Sequence, residues 1–83
     1  MNYPTAQQIV AARALLGLNQ QELAVGAGIS LSTIRRFEAT AAAPEMLSTM
    51  RLSTMTAIVE FFTRHGVEFR NEGDKFGVLV TRK

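Results

Sequence analysis

The chain has 83 residues, 47% hydrophobic, with nine Lys or Arg, seven Asp or Glu and a formal net charge of +2. That length fits one domain burying roughly 60–65% of its unfolded surface, and a mean hydropathy of +0.09 excludes a disordered chain. Cysteine is absent, which excludes a disulfide framework and thiolate metal sites. No run approaches about 18 uninterrupted apolar residues, and MNYPTAQQ carries no basic leader. The expectation is a cytoplasmic protein, bacterial or phage-type, neither secreted nor membrane-spanning. A pI near 9.7 suits a nucleic-acid partner, yet +2 describes any weakly basic protein equally well.

A first helix is predicted from Thr5 to Leu16, opened by Pro4 and Thr5 and stopped by Gly17. Ile9, Ala12, Arg13 and Leu16 share one face at i, i+3, i+4, i+7 spacing. Arg13 is thereby aimed at the core side, where a lone guanidinium is costly to bury and calls for a carboxylate. Glu38 is the candidate partner.

Residues 20–38, QQELAVGAGISLSTIRRFE, read as two short helices around a tight turn. The expected spans are Gln20 to Gly26 and Leu31 to Ala39. Leu23, Ala24, Ala27, Ile29, Ile34 and Phe37 supply small and apolar residues where the helices cross. Gly28 stands at the turn, where positive φ is needed, and Ser30 caps the helix that follows. On that helix Ile34 and Phe37 point inward, while Ser32, Arg35 and Arg36 point outward, with Leu31 and Thr33 at the margins. An α-helix fits the B-DNA major groove, and an Arg there can fork onto guanine O6 and N7. A bare Arg-Arg pair is otherwise a solvated face. Asn19 caps the preceding helix, whose first-turn amides, with Gln20 and Gln21, can meet a phosphate oxygen; the plain alternative is a cap with two solvent-facing glutamines.

The spacing L-A-x-x-A-G-I-S-x-x-x-I-x-x-F-E resembles the helix-turn-helix of the Cro and phage-repressor family (XRE-type regulators) over about residues 5–65. The resemblance implies a repressor-like bundle with the segment from Leu31 in the major groove. It implies base reading by Leu31, Ser32, Thr33, Arg35 and Arg36, and backbone contact by Asn19 and Gln20, to which Gln21 and Arg51 are added as candidates. It also implies a structural pair between Arg13 and Glu38. One departure matters. Where many relatives have Gly and several basic residues after the recognition helix, this chain has Ala39-Thr40-Ala41-Ala42-Ala43. Arg51, Arg82 and Lys83 are the possible substitutes, and a shallow salt dependence per monomer is expected.

Pro44 can open a further short helix with Glu45 in its first turn. The last helix is expected from Ser53 to His65, with Met55, Ile58, Val59 and Phe62 as its buried stripe and Gly66 as its C-cap. Phe61 falls off that stripe, as does the cluster of Met46, Leu47 and Met50. Together they are either ordinary core or an exposed patch for a second subunit. His65 has no metal-ligand or triad partner and reads as a capping or surface residue.

Beyond Gly66 the period changes to two. Val67 and Phe69 alternate with Glu68 and Arg70; Phe76, Val78 and Val80 alternate with Gly77, Leu79 and Thr81. Asn71-Glu72-Gly73-Asp74 supplies the turn. A lone hairpin is marginal in water, so this one lies on the helices, pairs with another chain, or both.

The expected architecture is mainly α, a four- to five-helix bundle over residues 1–66 with a hairpin extension over 67–83. The leading functional expectation is a non-enzymatic, cofactor-free transcriptional regulator that binds an inverted-repeat operator as a homodimer. A DNA-binding antitoxin with a toxin partner, and a protein-interaction adaptor of the same fold, are the alternatives.

Overall fold

The structure, a computed structural model, describes residues 3–42 and 51–81. Four helices precede a hairpin: α1 (Ala6–Leu16), α2 (Gln20–Ala27), α3 (Leu31–Ala42), α4 (Leu52–Arg64), β1 (Val67–Glu72) and β2 (Lys75–Val80). The helix proposed at Pro44 and the Met46, Leu47 and Met50 cluster lie outside the described residues, as do Arg82 and Lys83.

Side-chain chemistry sets the helix starts. Thr5 and Gln8 close a capping box on α1, and Asn19 and Glu22 close one on α2; each satisfies two backbone donors that a helix start leaves unpaired. Gly17 and Gly28 end these helices at φ 70° and 71°, in the left-handed region that glycine enters without steric penalty. Ser30 Oγ accepts from Thr33 N at 3.3 Å and starts α3.

That helix continues through Ala42, three residues beyond the expected end at Ala39. Ala is the strongest helix former, and Thr40 donates its hydroxyl proton to Phe37 O at 2.7 Å, so the Ala-rich run prolongs α3 where a loop was expected.

The core is built by Ile9, Ala12, Leu23, Ala24, Ile34, Ile58, Phe61, Phe62 and Val67. Val59, expected within the buried stripe of α4, is only half-buried; of the two readings of Phe61, ordinary core holds, since it is 5% exposed although it falls off that stripe. The cause is Gly26. A Cβ at that position would collide with the Phe61 ring, so its absence opens the slot that the ring fills between α2 and α4. Phe62 meets Phe61 edge-on at 5.3 Å and Phe69 at 5.7 Å, which carries the core on to the hairpin. His65 stacks on Phe61 at 4.3 Å, with Nδ1 2.8 Å from Phe61 O, closing the end of α4. The C-cap is His65, and Gly66 follows at φ 80° to turn the chain into β1.

β1 and β2 pair antiparallel from Val67↔Val80 to Glu72↔Lys75. The loop is Gly73-Asp74 alone, with positive φ at Gly73, as in a type II′ turn, so Asn71 and Glu72 belong to the strand. The hairpin lies on α1 and α4. Gln8, 3% exposed, is the pin. Its Nε2 donates to Asn71 Oδ1 at 2.7 Å, Gly77 O at 3.0 Å and Arg70 O at 3.2 Å, while its Oε1 accepts from Thr5 N at 2.8 Å. The sequence reading missed this glutamine. The T-x-x-Q box was its local signal, but its hairpin partners stand more than sixty positions away.

Candidate nucleic-acid interface

The two faces of α3 separate sharply. Ile34 and Glu38 are buried, Leu31 and Phe37 pack against the core, and Ser32, Arg35, Arg36 and Ala39 are exposed. These last four recur at i, i+3, i+4, i+7, one stripe on one side of the helix. Arg35 and Arg36 are exposed, and among the described residues no salt bridge holds either guanidinium. The two marginal candidates are turned elsewhere. Leu31 is half-buried, and Thr33 Oγ1 lies 2.7 Å from Ser30 Oγ. Ser30 and Ser32 hydroxyls are 3.5 Å apart.

A brace behind the stripe fixes its orientation. Arg13 Nε and Nη2 donate to Glu38 Oε2 and Oε1 at 2.8 and 2.7 Å, a bidentate pair, and Nη1 donates to Leu18 O at 2.8 Å. The side chains are 17% and 4% exposed. Hydrogen bonding to Glu38 holds the Arg13 guanidinium above its ordinary pKa; burial opposes this, and the nearby carboxylate charge adds to it. Gln20 joins the brace, donating Nε2 to Glu38 Oε1 at 3.1 Å. Its amide donor is committed to α3, not directed outward.

At the start of α2 the geometry is more crowded than sequence alone conveys. Asn19 Oδ1 accepts from Glu22 N at 2.7 Å, and Glu22 Oε1 accepts from Asn19 N at 2.9 Å. One first-turn amide and the cap amide are thus already satisfied, and a carboxylate stands beside them. The N-x-x-E spacing was the signal for Glu22, which the sequence reading did not use. Gln21 is exposed. Arg51 is exposed at the N-cap of α4 and makes no side-chain capping bond.

The described helices include none long and apolar enough to cross a membrane. No curated protein matches the chain. Residues 9–47 match the helix-turn-helix family model, a span that begins within α1, covers α2 and α3, and contains Arg13, Glu38 and the exposed stripe. Over that span the chain is similar to the helix-turn-helix domains of the Cro and phage-repressor (XRE) type, and a C-terminal two-stranded β-hairpin follows it.

Proposed function

We propose that this protein is a sequence-specific transcriptional regulator that binds an inverted-repeat operator as a homodimer, with α3 in the major groove. The observation that carries the reading is the exposed Ser32, Arg35 and Arg36 stripe on a helix whose opposite face is locked by Ile34 and the Arg13–Glu38 brace. A helix with a fixed core face presents its arginines in one orientation, which bidentate reading of guanine requires. Ser32 serves a base edge or a phosphate at the helix start. Asn19, Gln21 and Arg51 are the backbone candidates, with Gln20 acting through Glu38.

Dimerisation follows from energetics. Few cations flank the stripe, so one protomer gains little from counterion release. Two copies on a two-fold axis, with recognition helices about 34 Å apart, double the contacts and select a palindrome.

The test is selection of bound sequences from a random duplex pool, followed by titration of the Arg35→Ala, Arg36→Ala double variant. An inverted repeat with guanines in each half-site is expected, and the variant should lose operator binding while keeping its helical circular dichroism. Unchanged affinity in the variant would instead favour the protein-interaction adaptor, whose arginines have no base to read.

A further inference from the structure

We infer that Ala39 is a base-reading position, its methyl packing on the 5-methyl of a thymine in each operator half-site. This rests on the reading of α3 as the major-groove helix and adds to it a contact that the arginines do not supply.

The starting point is the prolongation of α3. A helix ending at Ala39 would leave that residue at a terminus; because α3 runs to Ala42, Ala39 stands inside a helical turn with a fixed direction. The turn is tied on both sides of it. Glu38, just before, is clamped by Arg13, and Thr40, just after, donates its hydroxyl proton to Phe37 O at 2.7 Å. Gln7 of α1 donates Nε2 to Ala41 O at 3.5 Å. Between these anchors Ala39 itself is exposed. Its direction is set by its neighbours, and its methyl is left to solvent.

That direction is the reading face. At about 100° per residue, Ala39 lies about 20° from Ser32 around the helix, between Arg36 at about 40° on one side of Ser32 and Arg35 at about 60° on the other. Along the axis it stands about 10.5 Å beyond Ser32, roughly three base-pair steps. The two arginines therefore flank a line that begins at a hydroxyl and ends at a methyl. A helix laid in the groove on this face brings both ends of the line to base edges.

Chemistry then selects the base. Ala39 offers neither donor nor acceptor, and the apolar group that base edges present in the major groove is the thymine 5-methyl. A purine or cytosine edge set against Ala39 loses water and gains no hydrogen bond in return. The other side chains of α3 suited to an apolar contact are already engaged: Leu31 packs against the core, and Thr33 Oγ1 lies 2.7 Å from Ser30 Oγ. No charged residue stands between 39 and 42, so the contact releases no counterions and is independent of salt, unlike those of Arg35 and Arg36. Burying one methyl group corresponds to about fourfold in affinity per half-site, and about fifteenfold over an inverted repeat.

The test uses the full chain and the operator selected from a random duplex pool. Each thymine position is replaced, in both half-sites together, by deoxyuridine, which lacks only the 5-methyl. Every duplex is titrated with wild type, Ala39→Gly and Ala39→Gln at low and high salt, with circular dichroism to confirm folding. Ala39→Gln keeps a good helix former at the position and replaces the methyl by an amide. The expected result is one deoxyuridine position that weakens wild-type binding by about tenfold and weakens binding of either variant by less than about twofold. The guanine preferences and the salt slope should be the same in all three proteins. Equal deoxyuridine penalties in wild type and variants at every thymine, or variants that lose affinity alike for all sequences, overturn the role of Ala39 and leave guanine reading by Arg35 and Arg36 in place. A wild type that selects no sequence overturns the major-groove reading as well.

Discussion

The Arg13–Glu38 brace yields the sharpest energetic prediction. Arg13→Ala leaves the Glu38 carboxylate, 4% exposed, with Gln20 Nε2 at 3.1 Å as its remaining partner. Removing one member of a buried pair costs about 3–5 kcal/mol; with Arg13 still 17% exposed, the lower end applies, so about 3 kcal/mol is expected. Glu38→Ala should cost less, about 2 kcal/mol, because the freed guanidinium keeps Leu18 O and can reach water. The double variant should cost about 3.5 kcal/mol, not the additive 5, giving a coupling of about 1.5 kcal/mol. A domain of this size has roughly 4–12 kcal/mol in total, so Arg13→Ala alone should lower Tm by about 12–24 °C. Urea titrations followed by circular dichroism, at one protomer concentration because the proposed dimerisation would shift apparent stability, measure all four corners. The sign with pH is also fixed. The folded pKa of Arg13 is raised, so its contribution is fully present below the unfolded value and is lost only at more alkaline pH than free arginine requires. The coupling should therefore match between about pH 7 and about pH 10. Additivity within about 0.3–0.5 kcal/mol would refute the brace as an energetic unit.

Three other outcomes follow from particular contacts. Gly26→Ala drives a methyl into the Phe61 ring and should cost about 1–3 kcal/mol; Phe61→Leu in the same chain should recover part of that loss, and equal losses with and without it would remove the slot argument. Gln8→Leu leaves Thr5 N and Asn71 Oδ1 without their partner; it should cost about 1–3 kcal/mol and speed hydrogen exchange in β1 and β2 ahead of α2 and α3, whereas uniform acceleration would mean the hairpin is not separately pinned. Operator affinity should fall with salt at a slope of only about −2 to −4 per protomer, from Arg35, Arg36, Arg51 and neighbouring cations; a much steeper slope would require phosphate contacts beyond these.

Much of the helix-turn-helix was legible because local rules and packing agree there. Gly28 needed positive φ, Asn19 and Ser30 had caps to form, and the 3.6-residue period separated Ile34 from Arg35 and Arg36. The arrangement of Arg13 and Glu38 followed from a charge aimed at a core. What stayed hidden depended on distant partners. Phe61 falls off a stripe drawn for one contact surface, but α4 packs against both α2 and β1, and the missing Cβ of Gly26 makes room for Phe61 against α2. Gln8 resembles any polar helix residue until β1 and β2 arrive above it. The end of α3 was misjudged for another reason: the family pattern suggested a loop, while the alanines after Glu38 favour more helix. Of the base-reading candidates, Ser32, Arg35 and Arg36 are exposed; Thr33 and Leu31, at the margins of the wheel, are engaged by the cap and the core.

These contacts give α1 a part that its sequence does not advertise. Gln8 and Arg13 are five residues apart, roughly 7.5 Å along the helix and about 140° around it. They therefore hold different things: Gln8 the hairpin, Arg13 the recognition helix. A single rigid helix thus ties the hairpin to the helix proposed to read the operator. Neither end is joined by apolar packing alone, which tolerates sliding; each is fixed by several directional bonds to buried polar groups. The distance between two recognition helices in the proposed homodimer must match one turn of DNA, and α1, bonded to α3 on one side and to the hairpin on the other, is the element that would hold α3 at that distance. Ala14→Gly, in the exposed flank of α1, touches neither bonded end and should cost only about 1 kcal/mol in stability. If α1 sets the spacing, softening it should relax the preferred separation of half-sites in a selected pool while leaving each half-site sequence unchanged. A variant that kept the wild-type spacing would place control of that distance elsewhere in the fold.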